Sequence, residues 1–365
     1  MRKLLFVLLL FPLFVGSCKA ESIEEETARA TDIYQVESGL DEEERSVSGE
    51  LRIDGTYDAR GALGRLLVRF WNKLREELRR EMHFGVVLIA IALLGSLASS
   101  ICPGNRIPEA MELISCCTAA LLLAGSLGGV ISQAADALTR LSDYSKAAVP
   151  AFFTTLAACG AAVSASVKYA SVSFAMDVFM TVSQRFILPL IYAYLAVSIS
   201  GSLFDSSMIQ TASRVTKWCA VSSMTLITTA FCLFISLSGA ISGSADAAAV
   251  KTAKTVISTA LPVVGGILSD SAAAMLSAAG VIKNSAGIFG LIAVCTICAG
   301  PFAVLSVKMA VFKACSALSE LSCGGKYAKL LGNVGTAFGM LLGLVGSYGM
   351  MLFLAFMSGI RMVAC

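Results

Sequence analysis

From residue 84 onward the chain is a succession of long apolar runs separated by short polar breaks, whereas the preceding residues mix charges densely. A helix needs about 20 mostly apolar residues to cross about 30 Å of hydrocarbon. Runs of that kind lie at residues 84–102, 110–131, 149–167, 171–203, 218–240, 259–281, 284–312 and 332–358. They predict an all-α fold, a polytopic helical membrane protein with about seven or eight transmembrane helices. Two overlong runs carry a central proline, Pro189 and Pro301. Each is one kinked helix or two half-helices, because proline removes a backbone donor that neighbouring protein must compensate.

The first 83 residues divide into three. Residues 1–20 read as a secretory signal peptide, with Arg2 and Lys3 ahead of an apolar stretch too short to span comfortably. Val15-Gly16-Ser17-Cys18 loosely matches a lipobox, which would lipidate Cys18; ordinary cleavage near Ala20 and an uncleaved anchor are the alternatives. Residues 21–58 are acidic and poor in large apolar side chains, and predict a flexible, disordered tether. Over residues 59–83, Leu63, Leu67, Phe70, Leu74 and Leu78 recur at helical spacing among arginines and lysines. A basic amphipathic helix bearing Trp71 suits a lipid interface or a partner helix, or is the polar lead-in to the first span.

Composition sharpens the membrane assignment. Of the 365 residues 56% are hydrophobic and 15% charged, with a mean hydropathy of +0.79. Soluble domains carry roughly 25% charged residues, so much of this surface must be solvated by lipid. The net charge of +3 and the absence of a basic stripe with interleaved aromatics point away from nucleic acid. With His83 the single histidine, no His-rich metal site is available.

The prolines also expose an internal repeat. Pro150 and Pro262 are 112 residues apart, and so are Pro189 and Pro301. Upstream, six of nine positions are identical between residues 129–137 and 239–247 at an offset of 110. The resulting organisation is a first span and loop at 84–109, repeat 1 at 110–217, repeat 2 at 218–330 and a Gly-rich C-terminal helix at 331–365. If each proline-bearing run crosses once, the copies hold three spans and are inverted, as in many secondary transporters. If it crosses twice, they are parallel, and the loop charges do not decide between the two.

Small residues mark the packing faces. Gly335, Gly339 and Gly343 fall every fourth residue on the last helix, and Gly125 and Gly129 form a similar pair. Such rows let helix backbones approach closely in lipid, against this chain or a second copy in a homo-oligomer. Chemistry is scarce. The twelve cysteines lie mostly in apolar helices and read as small packing side chains, Cys295-x-x-Cys298 included. No P-loop, paired-carboxylate site or nucleophile triad is present, so neither an enzyme nor a bound cofactor or metal is expected. Ionisable groups within apolar runs are costly; they line an aqueous path, coordinate a substrate, pair with a buried partner or sit at an interface. Asp270, with Ser269 beside it, stands mid-run, and Asp177 and Lys308 stand in or near others.

The stretch Leu261-Pro262-Val263-Val264-Gly265-Gly266, then Ser269-Asp270, then Ile282-Lys283-Asn284-Ser285-Ala286-Gly287 resembles the stage III sporulation protein AE family of spore-forming bacteria. Pro301, Val149-Pro150 and the Ala/Gly-rich run through Ala165 extend the likeness over roughly residues 84–358. The chain departs from it at Ser319-Glu320-Leu321, where the family often has a proline. The resemblance implies a mother-cell protein in the membrane around the forespore. Its implied partners are other membrane subunits of the stage III sporulation A complex and a forespore-side protein, together supporting late forespore gene expression. Under that reading Asp270, Ser269, Lys283 and Asn284 form an intramembrane polar site facing protein or water, and Pro150, Pro189, Pro262 and Pro301 are helix breaks or hinges. A self-sufficient secondary transporter and a passive scaffold are the rival expectations.

Overall fold

The structure is a computed structural model that describes residues 35–49, 57–101, 107–204, 206–260, 265–322 and 325–360, without the side chains of 35, 38, 107–108, 126, 160, 236–279, 282–283 and 322. Regular structure among the described residues is entirely helical. Two short helices, α1 (Gln35–Ser38) and α2 (Glu42–Ser48), precede α3 (Ala59–Ile101), α4 (Ile107–Leu156), α5 (Ala162–Val182) and α6 (Leu188–Leu203). Three long helices follow, α7 (Ser207–Ala260), α8 (Gly265–Ser322) and α9 (Gly325–Ile360).

Six helices among the described residues are long and apolar enough to cross a membrane. The expected count of seven or eight differs for identifiable reasons. Runs 110–131 and 149–167, expected as separate spans, share one helix from Glu109 to Cys159 that passes straight through Pro150. The intervening residues are amphipathic rather than helix-breaking: Leu138, Leu141 and Tyr144 are buried, while Asp136, Arg140 and Asp143 are exposed. The run at 259–281 lies across residues whose side chains are outside the description.

Each proline-bearing run falls within a single candidate span. Pro301 sits inside the unbroken α8. Pro189 occupies the first turn of α6, where its missing N–H costs least, directly after a π-helical turn at Ser183–Ile187. Chain direction follows from the contacts. Helix α9 runs antiparallel to α8, with Phe338 on Phe312 at 5.2 Å between ring centroids and Gly290 against the Phe356 ring. Helices α5 and α6 are also antiparallel to α9: Lys168 reaches Ser358, Phe179 packs on Tyr348 and Tyr194 bonds Asn333. The Pro189 and Pro301 helices therefore run in the same sense. That is the parallel arrangement, not the inverted one that three spans per unit would give.

The acidic stretch also departs from expectation. Within the segment expected to be a disordered tether, residues 35–49 form α1 and α2 and dock on the bundle. Val36, Leu40 and Val47 are buried, and Gly39 lies against Tyr144. Ion pairs join Glu43 to Arg69 at 2.7 Å and Asp41 to Arg140 at 2.8 Å, so the segment straddles α3 and α4. Residues 21–34 and the signal-like residues 1–20, with Cys18, lie outside the described residues.

Candidate functional site

A polar centre lies inside the bundle where the charged half of α3 meets α8. Helix α3 turns Glu77 and Glu81 inward on the face that also buries Gly85, Leu88 and Ala92. Lys308, in an otherwise apolar stretch of α8, donates to Glu81 Oε1, and the two side chains are only 14% and 9% exposed. Glu77 pairs more loosely with Lys73 at 3.7 Å, one helical turn away on the same helix. A cavity of 490 Å³ opens beside them, lined by Glu77, Glu81, Lys308, Gln133, Phe312 and Phe338. It thus touches α3, α4, α8 and α9. Desolvating two charges is expensive, and their attraction offsets that only while both partners remain.

Around this centre the helices are held closely. The Tyr327 hydroxyl donates to the Leu88 carbonyl at 2.8 Å, and Lys313 Nζ donates to the Gly332 carbonyl and to Thr336. Lys168, buried in α5, donates to Ser358 Oγ at 2.5 Å. Outside the spans, Tyr57 stacks edge-on against Phe289 and donates to the Ser48 carbonyl at 2.5 Å. Burial pushes its phenol well above the usual tyrosine range.

The residues singled out from sequence are only partly brought together. Gly335 lies against Phe312 and Lys313, and Gly339 against Met309, both on α8, while Gly343 meets Met224 of α7. The glycine face is thus an intramolecular seam, which Gly346 against Phe302 and Gly349 against Cys298 extend beyond the predicted row. Gly125 and Gly129, expected to pack closely, have nothing within 4 Å of where a Cβ would sit. Pro150 and Pro301 lie within continuous helices, and Pro189 is exposed in the first turn of α6. Pro262 and the side chains of Ser269, Asp270 and Lys283 lie outside the described residues; Asn284 is half-buried at the edge of the α8 apolar stretch. Asp177 is exposed on α5. Sequence reasoning missed Glu81 as the partner of Lys308. The available signal was that a lysine in an apolar run demands a counter-charge, and Glu77 and Glu81 are the acids nearest the first span. No group of histidines, cysteines and carboxylates able to hold a metal occurs among the described residues.

Comparison with known proteins places this bundle. The chain is 26% identical over 206 residues to the stage III sporulation protein AE of Bacillus subtilis (strain 168), which covers 56% of this chain and 51% of that protein. The match therefore spans about half the length of that relative. No solved structure matches the chain. The family model described as stage III sporulation protein AE matches residues 51–361, which takes in every helix from α3 to α9 and the whole polar centre. With the model covering most of the chain, the protein belongs to the stage III sporulation protein AE family.

Proposed function

We propose that the chain is a polytopic membrane subunit of a sporulation transenvelope complex, a channel or secretion-like apparatus linking mother cell and forespore and needed for late forespore gene expression. The observation that carries this reading is family membership across a set of apolar helices in which the Glu81–Lys308 pair is sheltered by protein. Its site is the membrane around the forespore, and its partners are the other membrane subunits of the stage III sporulation A complex and a forespore-side protein. Asp270, with Ser269, Lys283 and Asn284, forms a polar site within the membrane that faces protein or water. Replacing Asp270 with Leu then impairs assembly or conductance.

The rival transporter reading drew on inverted repeats with broken helices. The Pro189 and Pro301 helices are unbroken or nearly so and run in the same sense, which removes its main support. Purification from sporulating cells separates the two. The complex reading expects the chain to be recovered with other membrane sporulation proteins and to move no small solute alone in liposomes. Solute movement by the isolated chain, with normal sporulation and complex recovery for Asp270→Leu, would overturn it.

A further inference from the structure

Two carboxylates sit one helical turn apart on the buried face of α3, and they are not equally served. Glu81 receives Lys308 directly. Glu77 is as deeply placed, with its side chain 9% exposed, yet the cation within 4 Å of it among the described residues is Lys73, at 3.7 Å. That is too long for a hydrogen bond. Lys73 also lies half in solvent, 43% exposed. Like charges four residues apart on a helix repel, and a buried carboxylate without a close donor carries a desolvation cost that so loose a pair only partly offsets.

The 490 Å³ cavity opens against this carboxylate. Its volume falls within the roughly 300–1,000 Å³ typical of small-molecule sites. Part of its wall is aromatic: Phe84 and Phe338 flank Phe312, with ring centroids 6.1 Å and 5.2 Å from it. Aromatic faces attract cations, the more so away from water. Of the other charged or polar side chains around it, Arg80, His83 and Gln133 are exposed, and the charge of Lys308 is already answered by Glu81. From α4 the wall is Gly129, where an added Cβ would meet nothing within 4 Å. A buried carboxylate short of a donor, beside aromatic rings and open space, suits an organic cation. A metal ion would want three or more donors together, which the described residues do not gather.

We propose that the cavity is a binding site for a small alkylammonium ion, its ammonium donating to Glu77 and its carbon chain lying against Phe312 and Phe338. Lys73 is then a tethered stand-in that swings out to water as the ligand enters. Lys308 stays with Glu81, the same pairing made by the chain itself. The site rests on the cavity alone, whichever complex the chain joins, so its failure would leave the sporulation reading untouched.

Thermal unfolding of the full-length chain in detergent tests it, with n-butylammonium as the probe and sodium chloride added to hold ionic strength constant. The ion should raise the midpoint saturably, as a ligand of the folded state does, and n-butanol, its neutral counterpart, should not. Lys73→Ala removes the competing ammonium and should tighten binding at least threefold. Glu77→Gln should weaken it at least tenfold. Should Glu77→Gln misfold, Gly129→Val fills the cavity from α4 with every charge kept, and should abolish the shift. No shift with n-butylammonium, or an equal one with n-butanol, would overturn the proposal. So would binding that survives Glu77→Gln or Gly129→Val, or that Lys73→Ala fails to tighten.

Discussion

At the scale of single residues, Lys308 and Glu81 make the clearest energetic statement. Removing one partner strands a largely buried charge, so Glu81→Ala or Lys308→Ala should each lower stability by about 3 kcal/mol. Glu81→Leu combined with Lys308→Met replaces both charges with apolar bulk and should cost less than the sum of the single changes. Thermal unfolding in detergent measures both, and additive losses would show that the pair is not coupled. The glycines give an opposed pair. A methyl at Gly290 would meet the Phe356 ring at 2.7 Å, so Gly290→Ala should destabilise by about 1–3 kcal/mol. Gly129 faces open space, and Gly129→Ala should gain up to about 1 kcal/mol of helix propensity.

At the scale of elements, apolar runs were legible because a span is a composition signal, and the described residues hold six helices long and apolar enough to span. What the runs did not reveal was where helices stop. The polar residues 132–147 read as a break between spans, yet they are amphipathic at helical spacing, with Leu138, Leu141 and Tyr144 buried. Helices α1 and α2 were hidden for the opposite reason. Dense acids read as solvated chain, while the sparse apolar residues Val36, Leu40 and Val47 carry the docking. The Tyr57 hydroxyl helps hold this docking through the Ser48 carbonyl. Tyr57→Phe should loosen it by about 1 kcal/mol, seen as faster hydrogen exchange in residues 42–48 with α8 and α9 unchanged.

At the scale of the whole molecule, the family was legible from a few polar pairs fixed within apolar sequence, and the comparison bears it out over residues 51–361. The centre at Glu81 and Lys308 was not legible, because its halves are 227 residues apart and meet only through the parallel packing of α3 on α8. Helix direction likewise emerges only from tertiary contacts, and it aligns the Pro189 and Pro301 helices that sequence spacing alone left undecided.

The acidic segment is clasped to Arg69 of one helix and Arg140 of another by pairs that lie largely in solvent, with side chains 40–85% exposed. Pairs of that kind are worth at most about 1 kcal/mol each and fade as salt shortens the reach of charge to about 3 Å at 1 M. The fastening is therefore electrical at its rim. Raising ionic strength should open residues 41–44 to added protease while leaving the aromatic seam of α8 and α9 intact. Any neighbour offering a denser cluster of arginines would have the same effect on both helices at once.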